Sequence, residues 1–130
     1  MNAAATVGLT LALLALLLTG LSLQISRLRL RHRVSFGDGG HKDLLAAMRA
    51  HGNALEQCSV FGLLALALAL LQPAGGSGLQ LCCAVFGFAR VVHPLALFCR
   101  WLPLRQAAHA LSLLAQLGLV LLLLNPLISA

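Results

Sequence analysis

Arg49-Ala50-His51-Gly52-Asn53-Ala54-Leu55-Glu56 carries a cation, an amide and a carboxylate, then runs directly into Cys58–Leu71, which is almost wholly apolar. On a helix, Arg49, Asn53 and Glu56 stand at i, i+4 and i+7, within roughly 60° of one another and spread over about 10 Å of rise. One helix face therefore presents a donor, an amide and an acceptor. If that helix lies in a membrane, the stripe has to face protein or a water-filled pocket, because charge facing lipid is expensive. Two readings stand at this point: a polar patch that holds helices together, or a ligand site.

Composition decides the setting. Of 130 residues, 60% are hydrophobic and only 9% charged, and the mean hydropathy is +0.95. A soluble domain carries about 25% charged residues, so this chain has too few polar groups to cover a soluble surface. The sequence predicts one domain spanning residues 1–130, an all-α integral membrane protein built as a four-transmembrane-helix bundle. The formal charge of +6 does not point to nucleic acid. The cations cluster between apolar runs, as in cytoplasmic loops of membrane proteins.

The predicted helices span about 3–26, 42–71, 79–98 and 104–124. The first run lacks a preceding cation and a small-x-small cleavage site, so it reads as a span rather than a signal peptide. Arg27-Leu28-Arg29-Leu30-Arg31-His32-Arg33 follows it as a juxtamembrane basic cluster that sets topology and meets anionic lipid heads. Phe36-Gly37-Asp38-Gly39-Gly40 reads as a turn, without the Gly-Lys-Ser/Thr of a phosphate-binding loop. Asp43 suits the positive end of the second helix. Gln72–Gly78 is an uncharged turn, suited to the outside face. In the third helix Arg90 and His93 share a face, and Pro94 is expected to kink the helix or loosen its backbone bonds. In the fourth, Arg105, His109, Ser112 and Gln116 form a second polar stripe, and Asn125-Pro126 is expected to end the helix before an uncharged outside tail. Nearly all Lys and Arg flank the first and third loops, so both termini are expected outside.

The ionisable residues of helices two, three and four all lie toward the expected cytoplasmic side. Arg49, Arg90 and Arg105 outnumber Glu56, so a cationic pocket is expected, whose natural complement is a lipid headgroup, a carboxylate or a thiolate. A nearby cation also stabilises a thiolate. No Ser-His-Asp set is apparent. His41, His51, His93 and His109 show no tight pairing with a carboxylate, and Cys58, Cys82, Cys83 and Cys99 lack metal-type spacing, so no metal is expected and the cysteines read as small buried hydrophobes.

Arg49-Ala50-x-x-Asn53-x-x-Glu56 resembles the second-helix signature of the MAPEG superfamily, the membrane-associated proteins of eicosanoid and glutathione metabolism. Arg29-Leu30-Arg31 resembles the end of that family's first helix. Arg90-x-x-His93 is similar to the third-helix pattern of its prostaglandin E synthase branch, and Arg105 is similar to its thiol-activating arginine. Gly37-Asp38-Gly39-Gly40 resembles a loop of its small bacterial members. The resemblance spans almost the whole chain. It implies a homotrimer that binds glutathione between subunits near the cytoplasmic side and acts as a transferase or peroxidase on lipophilic electrophiles reaching it from membrane lipid. Arg29, Arg49, Asn53, Glu56 and His93 would hold glutathione, with His51 and Arg90 as further binding candidates and Arg105 stabilising the thiolate. A bacterial inner membrane is implied, with a eukaryotic endomembrane as the alternative. Two departures stand out. Leu97 occupies a position where family enzymes often have tyrosine, and Gln57 replaces a common aromatic; the chain has no Tyr at all. These changes favour the alternative of a non-catalytic lipid-binding or scaffold protein on the same fold. A transporter is disfavoured, as no inverted repeat or pair of broken helices is present.

Overall fold

The computed structural model describes residues 1–128 and contains four helices: α1 (Ala3–His32), α2 (Lys42–Leu71), α3 (Ser77–Phe98) and α4 (Leu102–Ile128). All four are long and apolar enough to cross a membrane. Helices α2 and α3 occupy the middle of the bundle. Among the described residues α1 packs on α2 and α3, α4 packs on α2 and α3, and α1 and α4 do not meet. The α3–α4 pair has the most extensive contact.

The buried face of α2 is a run of mostly small residues: Ala47, Ala50, Ala54, Cys58, Phe61, Gly62, Ala65 and Leu68. The steps of three and four keep them on one face. Small side chains let neighbouring helices approach closely, the main source of association where lipid removes the hydrophobic drive. At the centre Phe61 of α2 stacks on Phe86 of α3, with ring centroids 3.8 Å apart and planes 9° from parallel.

Four helix ends depart from the sequence expectation. Helix α1 continues through the basic cluster to His32 rather than ending near residue 26. Its alternating Leu and Arg are good helix formers, Leu28 is buried against Leu44 and Ala47 of α2, and cations in the last turn face the negative end of the dipole. Helix α3 begins two residues early, at Ser77, and is continuous through Pro94. Helix α4 begins at Leu102 and runs past Asn125-Pro126 to Ile128; a proline near a helix end removes one backbone bond where the loss matters least. Of the uncharged tail, Ser129 and Ala130 lie outside the described residues. The cysteines are all free. Cys58 and Cys83 are buried as expected and Cys82 is half-buried, but Cys99, at the end of α3, is exposed.

Helix length fixes where the polar stripes stand relative to the bilayer. Helices α1 and α2 have 30 residues each, or about 45 Å, against a hydrocarbon core of about 30 Å. Counting about twenty residues back from Leu71 puts the membrane boundary near Gly52. About the first three turns of α2 and the basic end of α1 therefore project beyond the core. His32 and Asp43 tie this projecting hairpin with a 2.8 Å hydrogen bond, the carboxylate accepting. His41 stacks on His32 with centroids 3.9 Å apart. The two rings are only 14° from parallel, so their in-plane lone pairs do not converge on one ion, although His32, His41 and Asp43 are the one group of three ligand types gathered among the described residues.

At the opposite end Asn2 caps α1, its Oδ1 accepting from the Ala5 amide at 2.8 Å. The Ala3 amide donates to the Pro73 carbonyl at 3.2 Å, pinning the start of α1 to the α2–α3 turn. Gly75 makes this approach possible: its φ is +77° and an added Cβ would meet the Ala3 nitrogen at 2.9 Å. Gly75→Ala is therefore expected to destabilise the protein by about 1–3 kcal/mol, read as a lowered thermal midpoint in detergent. Gly76→Ala, where φ is −179° and the Cβ meets nothing, should cost less than about 1 kcal/mol. Equal effects would show that the Ala3–Gly75 approach is not what positions α1.

Candidate functional site

The opening stripe of α2 lines a cleft of about 480 Å³. Helix α2 contributes Arg49, Gly52, Asn53 and Glu56; α3 contributes His93 and Leu97; α4 contributes Arg105, Gln106 and His109. The i, i+4, i+7 spacing on α2 is what turns its three polar side chains to one side. Two guanidinium groups face one carboxylate. Arg49 and Glu56 are exposed, and among the described residues neither is in an ion pair or a side-chain hydrogen bond. His93 is only 7% exposed, yet its Nδ1 has no hydrogen-bond partner among those residues, and the same holds for Nδ1 of His109. The two rings lie 6.3 Å apart. Both Nδ1 atoms are enclosed by the bundle, exceptions to the rule that buried polar atoms are nearly always satisfied.

Arg90 takes a different part from the one expected of it. It does not line the cleft but lies behind it, 1% exposed. Its Nε donates to the Ser112 hydroxyl at 2.9 Å, its Nη2 to the same oxygen at 2.5 Å, and its Nη1 to Asn53 Oδ1 at 3.0 Å. Its Cζ lies 5.6 Å from the centroid of the Phe86 ring. This clamp joins α2, α3 and α4 through one side chain. It also fixes Asn53. Arginine can only donate, so the atom facing it is the amide oxygen, and the Asn53 NH₂ remains available as a donor. Beside Arg49 and Arg105, the cleft thus offers several donors and a single carboxylate acceptor, Glu56.

The second polar stripe is divided in the same way. Arg105 and His109 reach the cleft, while Ser112 is held by Arg90 and donates to the Ala108 carbonyl at 2.9 Å. Gln116 donates to the Gln57 carbonyl at 3.1 Å. Two further candidates lie elsewhere in the bundle. Arg29 donates to the Ser35 carbonyl at 3.1 Å and contacts Met48 Sδ at 3.8 Å, at the base of the α1–α2 hairpin. His51 is half-buried on α2 and does not line the cleft. Sequence reasoning placed His109 on the stripe without assigning it to the site; its position four residues after Arg105 was the available signal. Gln106 had none.

The clamp makes a stability prediction. Ser112→Ala removes the acceptor of two Arg90 bonds while leaving the cation buried, and should cost about 1–3 kcal/mol. Arg90→Met, which removes the charge itself, should be tolerated better than Arg90→Ala. Thermal unfolding in micelles measures both; a Ser112→Ala variant that unfolds with the parent would remove the clamp from any account of stability.

This chain shares a stretch with two named bacterial proteins. Over 82 residues, 61% of this chain and 60% of the relative, it is 37% identical to the inner membrane protein YecN of Escherichia coli strain K12, with the same figures for the protein of that name in strain CFT073. The aligned part thus spans about three fifths of the relatives' length. The family model described as the MAPEG family matches residues 7–125, which includes the bulk of all four helices and every residue of the cleft. A chain of four membrane-crossing helices, matched over that span, belongs to the MAPEG family.

Proposed function

We propose that this protein binds glutathione in the α2–α3–α4 cleft and conjugates it through its sulfur to lipophilic electrophiles or uses it to reduce them, working as a homotrimer in a bacterial inner membrane with the basic end of the bundle toward the cytoplasm. The observation that carries the proposal is the donor–acceptor balance of the cleft. Glutathione brings two carboxylates, one ammonium and one thiol. Glu56 is the group to receive the ammonium; Arg49 and the Asn53 NH₂ suit the carboxylates, where a guanidinium can donate in bidentate fashion. Family membership supports a role in glutathione or eicosanoid metabolism at this coarse level.

On this reading Arg105 stands beside the sulfur and favours the thiolate over the thiol. The proton leaves to solvent. The thiolate pair then forms the C–S bond while the electrophile's leaving group, or its π bond, takes the displaced electrons. With a hydroperoxide as substrate, two glutathiones supply the two electrons, giving the alcohol, water and glutathione disulfide. The setting suits both partners: the cleft stands at the membrane boundary, where a water-soluble thiol meets an electrophile dissolved in lipid.

Self-association is supported by the exposure of Glu56, which lies on the hydrocarbon side of the boundary near Gly52 and has no ion-pair partner among the described residues. Charge facing lipid is expensive, and a neighbouring protomer is the cover that would also close the cleft. A second reading, a lipid-binding scaffold without turnover, is favoured by one observation. Leu97, half-buried, forms the cleft wall at the position where family enzymes often carry tyrosine, so no hydroxyl is there to contact a thiol.

Titration with glutathione should produce a saturable ultraviolet thiolate band. Arg105→Ala should abolish the band. Arg49→Ala and Glu56→Gln should each weaken glutathione binding by about 10–100-fold, the loss of one charge-assisted hydrogen bond. Unaltered affinity in both would remove the site assignment, and binding without a thiolate band or turnover would favour the scaffold. Native mass measurement in detergent should find three copies per particle; a monomer that still binds glutathione would refute the intersubunit site.

A further inference from the structure

A second cavity of about 550 Å³ opens at the basic end of the bundle, between the end of α1, the start of α2 and the α3–α4 turn. Five cations line it: Arg31, Lys42, Arg49, Arg100 and Arg105. They come from separate elements, so their convergence is a property of the fold and not of one basic run. Among the described residues none of the five is in an ion pair or a side-chain hydrogen bond. The single carboxylate on the wall, Asp43, is already engaged, accepting from His32 at 2.8 Å and from the Leu44 amide at 2.9 Å.

The rim identifies the ligand class. Trp101 lines the cavity and is 59% exposed, beside exposed Phe98 and Leu102. Tryptophan in membrane proteins sits at headgroup level, and the length of α2 places the cavity just beyond the hydrocarbon boundary. Several unpaired arginine and lysine donors facing one space suit a phosphate group, with its several acceptor oxygens. We infer that this cavity is a discrete phosphate-binding site, fitted to the phosphate of an acidic phospholipid headgroup or to a free phosphate. This goes beyond the general attraction of basic loops to anionic membranes, because it assigns the binding to one cavity. It adjoins the thiol cleft and shares Arg49, Leu97 and Arg105 with it, whereas Arg31, Lys42 and Arg100 line only this cavity.

The test compares two variants that lose the same charge. Arg31→Gln with Lys42→Gln removes two cavity cations. Arg27→Gln with Arg33→Gln removes two cations of the same hairpin that do not line the cavity. Native mass spectrometry in detergent reads retention of phosphatidylglycerol against phosphatidylcholine, and calorimetry reads inorganic phosphate. The wild-type protein should retain phosphatidylglycerol about tenfold or more better than phosphatidylcholine. That preference should fall about tenfold in the cavity variant and by less than about threefold in the control at physiological salt. Saturable inorganic phosphate binding with the same variant pattern, but no preference between the lipids, would assign the site to free phosphate. Equal losses in the two variants would reduce the effect to bulk charge and overturn the site. So would a wild-type protein that neither discriminates between the lipids nor binds phosphate, whatever the stability of the variants. Failure of glutathione to bind would leave this inference standing.

Discussion

One guanidinium, that of Arg90, sits where a cation is most costly, and the bundle is arranged around accommodating it. A buried charge requires hydrogen-bond partners. Arg90 finds them on two different helices, Ser112 of α4 and Asn53 of α2, and lies over Phe86 of its own helix. The clamp sets the relative rotation of the three helices. Once α2 is turned so that Asn53 meets Arg90, the 60° stripe brings Arg49 and Glu56 round to the same side. Once α4 is turned so that Ser112 meets Arg90, Arg105 and His109 follow. The open cleft is thus the outward consequence of a closed polar contact behind it.

Below the clamp the core is dry and small-featured. The alanine-rich face of α2 and the Phe61–Phe86 stack hold α2 against α3 at close range, the packing expected where lipid and side chains are equally apolar. Above it the protein is wet and charged. Helices α1 and α2 are longer than the bilayer core requires, and the excess forms a hairpin carrying much of the basic charge beyond the boundary. The His32–Asp43 pair and the His32–His41 stack hold that hairpin shut. The two cavities meet at this junction between dry and wet regions, sharing Arg49, Leu97 and Arg105.

The distribution of unmet polar groups is uneven in an informative way. Ser112, Gln116 and Asn53 spend hydrogen-bonding capacity on other helices, and the deep arginine is fully engaged. The shallow arginines of the cleft and Glu56 have no partner among the described residues, nor do the Nδ1 atoms of His93 and His109. Satisfied groups hold the fold, while Arg49, Glu56 and Arg105 line the cleft without partners among the described residues. Arg29, by contrast, is occupied with Ser35 and Met48, which separates it from the residues whose spacing it accompanies in the sequence.

The amino-acid sequence by itself determined the membrane setting, the number of helices, the span of α2 and the polar stripes of α2 and α4, because hydropathy and the 3.6-residue period are local properties of the chain. The Arg49–Asn53–Glu56 face was legible for the same reason. The helix ends were less so: whether Arg27–His32 stays helical depends on Leu28 packing against Leu44 and Ala47, contacts between residues far apart in the chain. Only the tertiary structure decided which polar residues look into the cleft and which lie behind it. Arg90 and Arg105 are both arginines on the polar faces of membrane helices, and no periodicity separates them. The rotation of α3 against α2 and α4 does, by placing Ser112 and Asn53 within reach of one guanidinium and leaving the other open. The five-cation cavity was hidden for the same physical reason: its arginines and lysine are scattered along the chain and come together only when the ends of four helices meet at one face of the bundle.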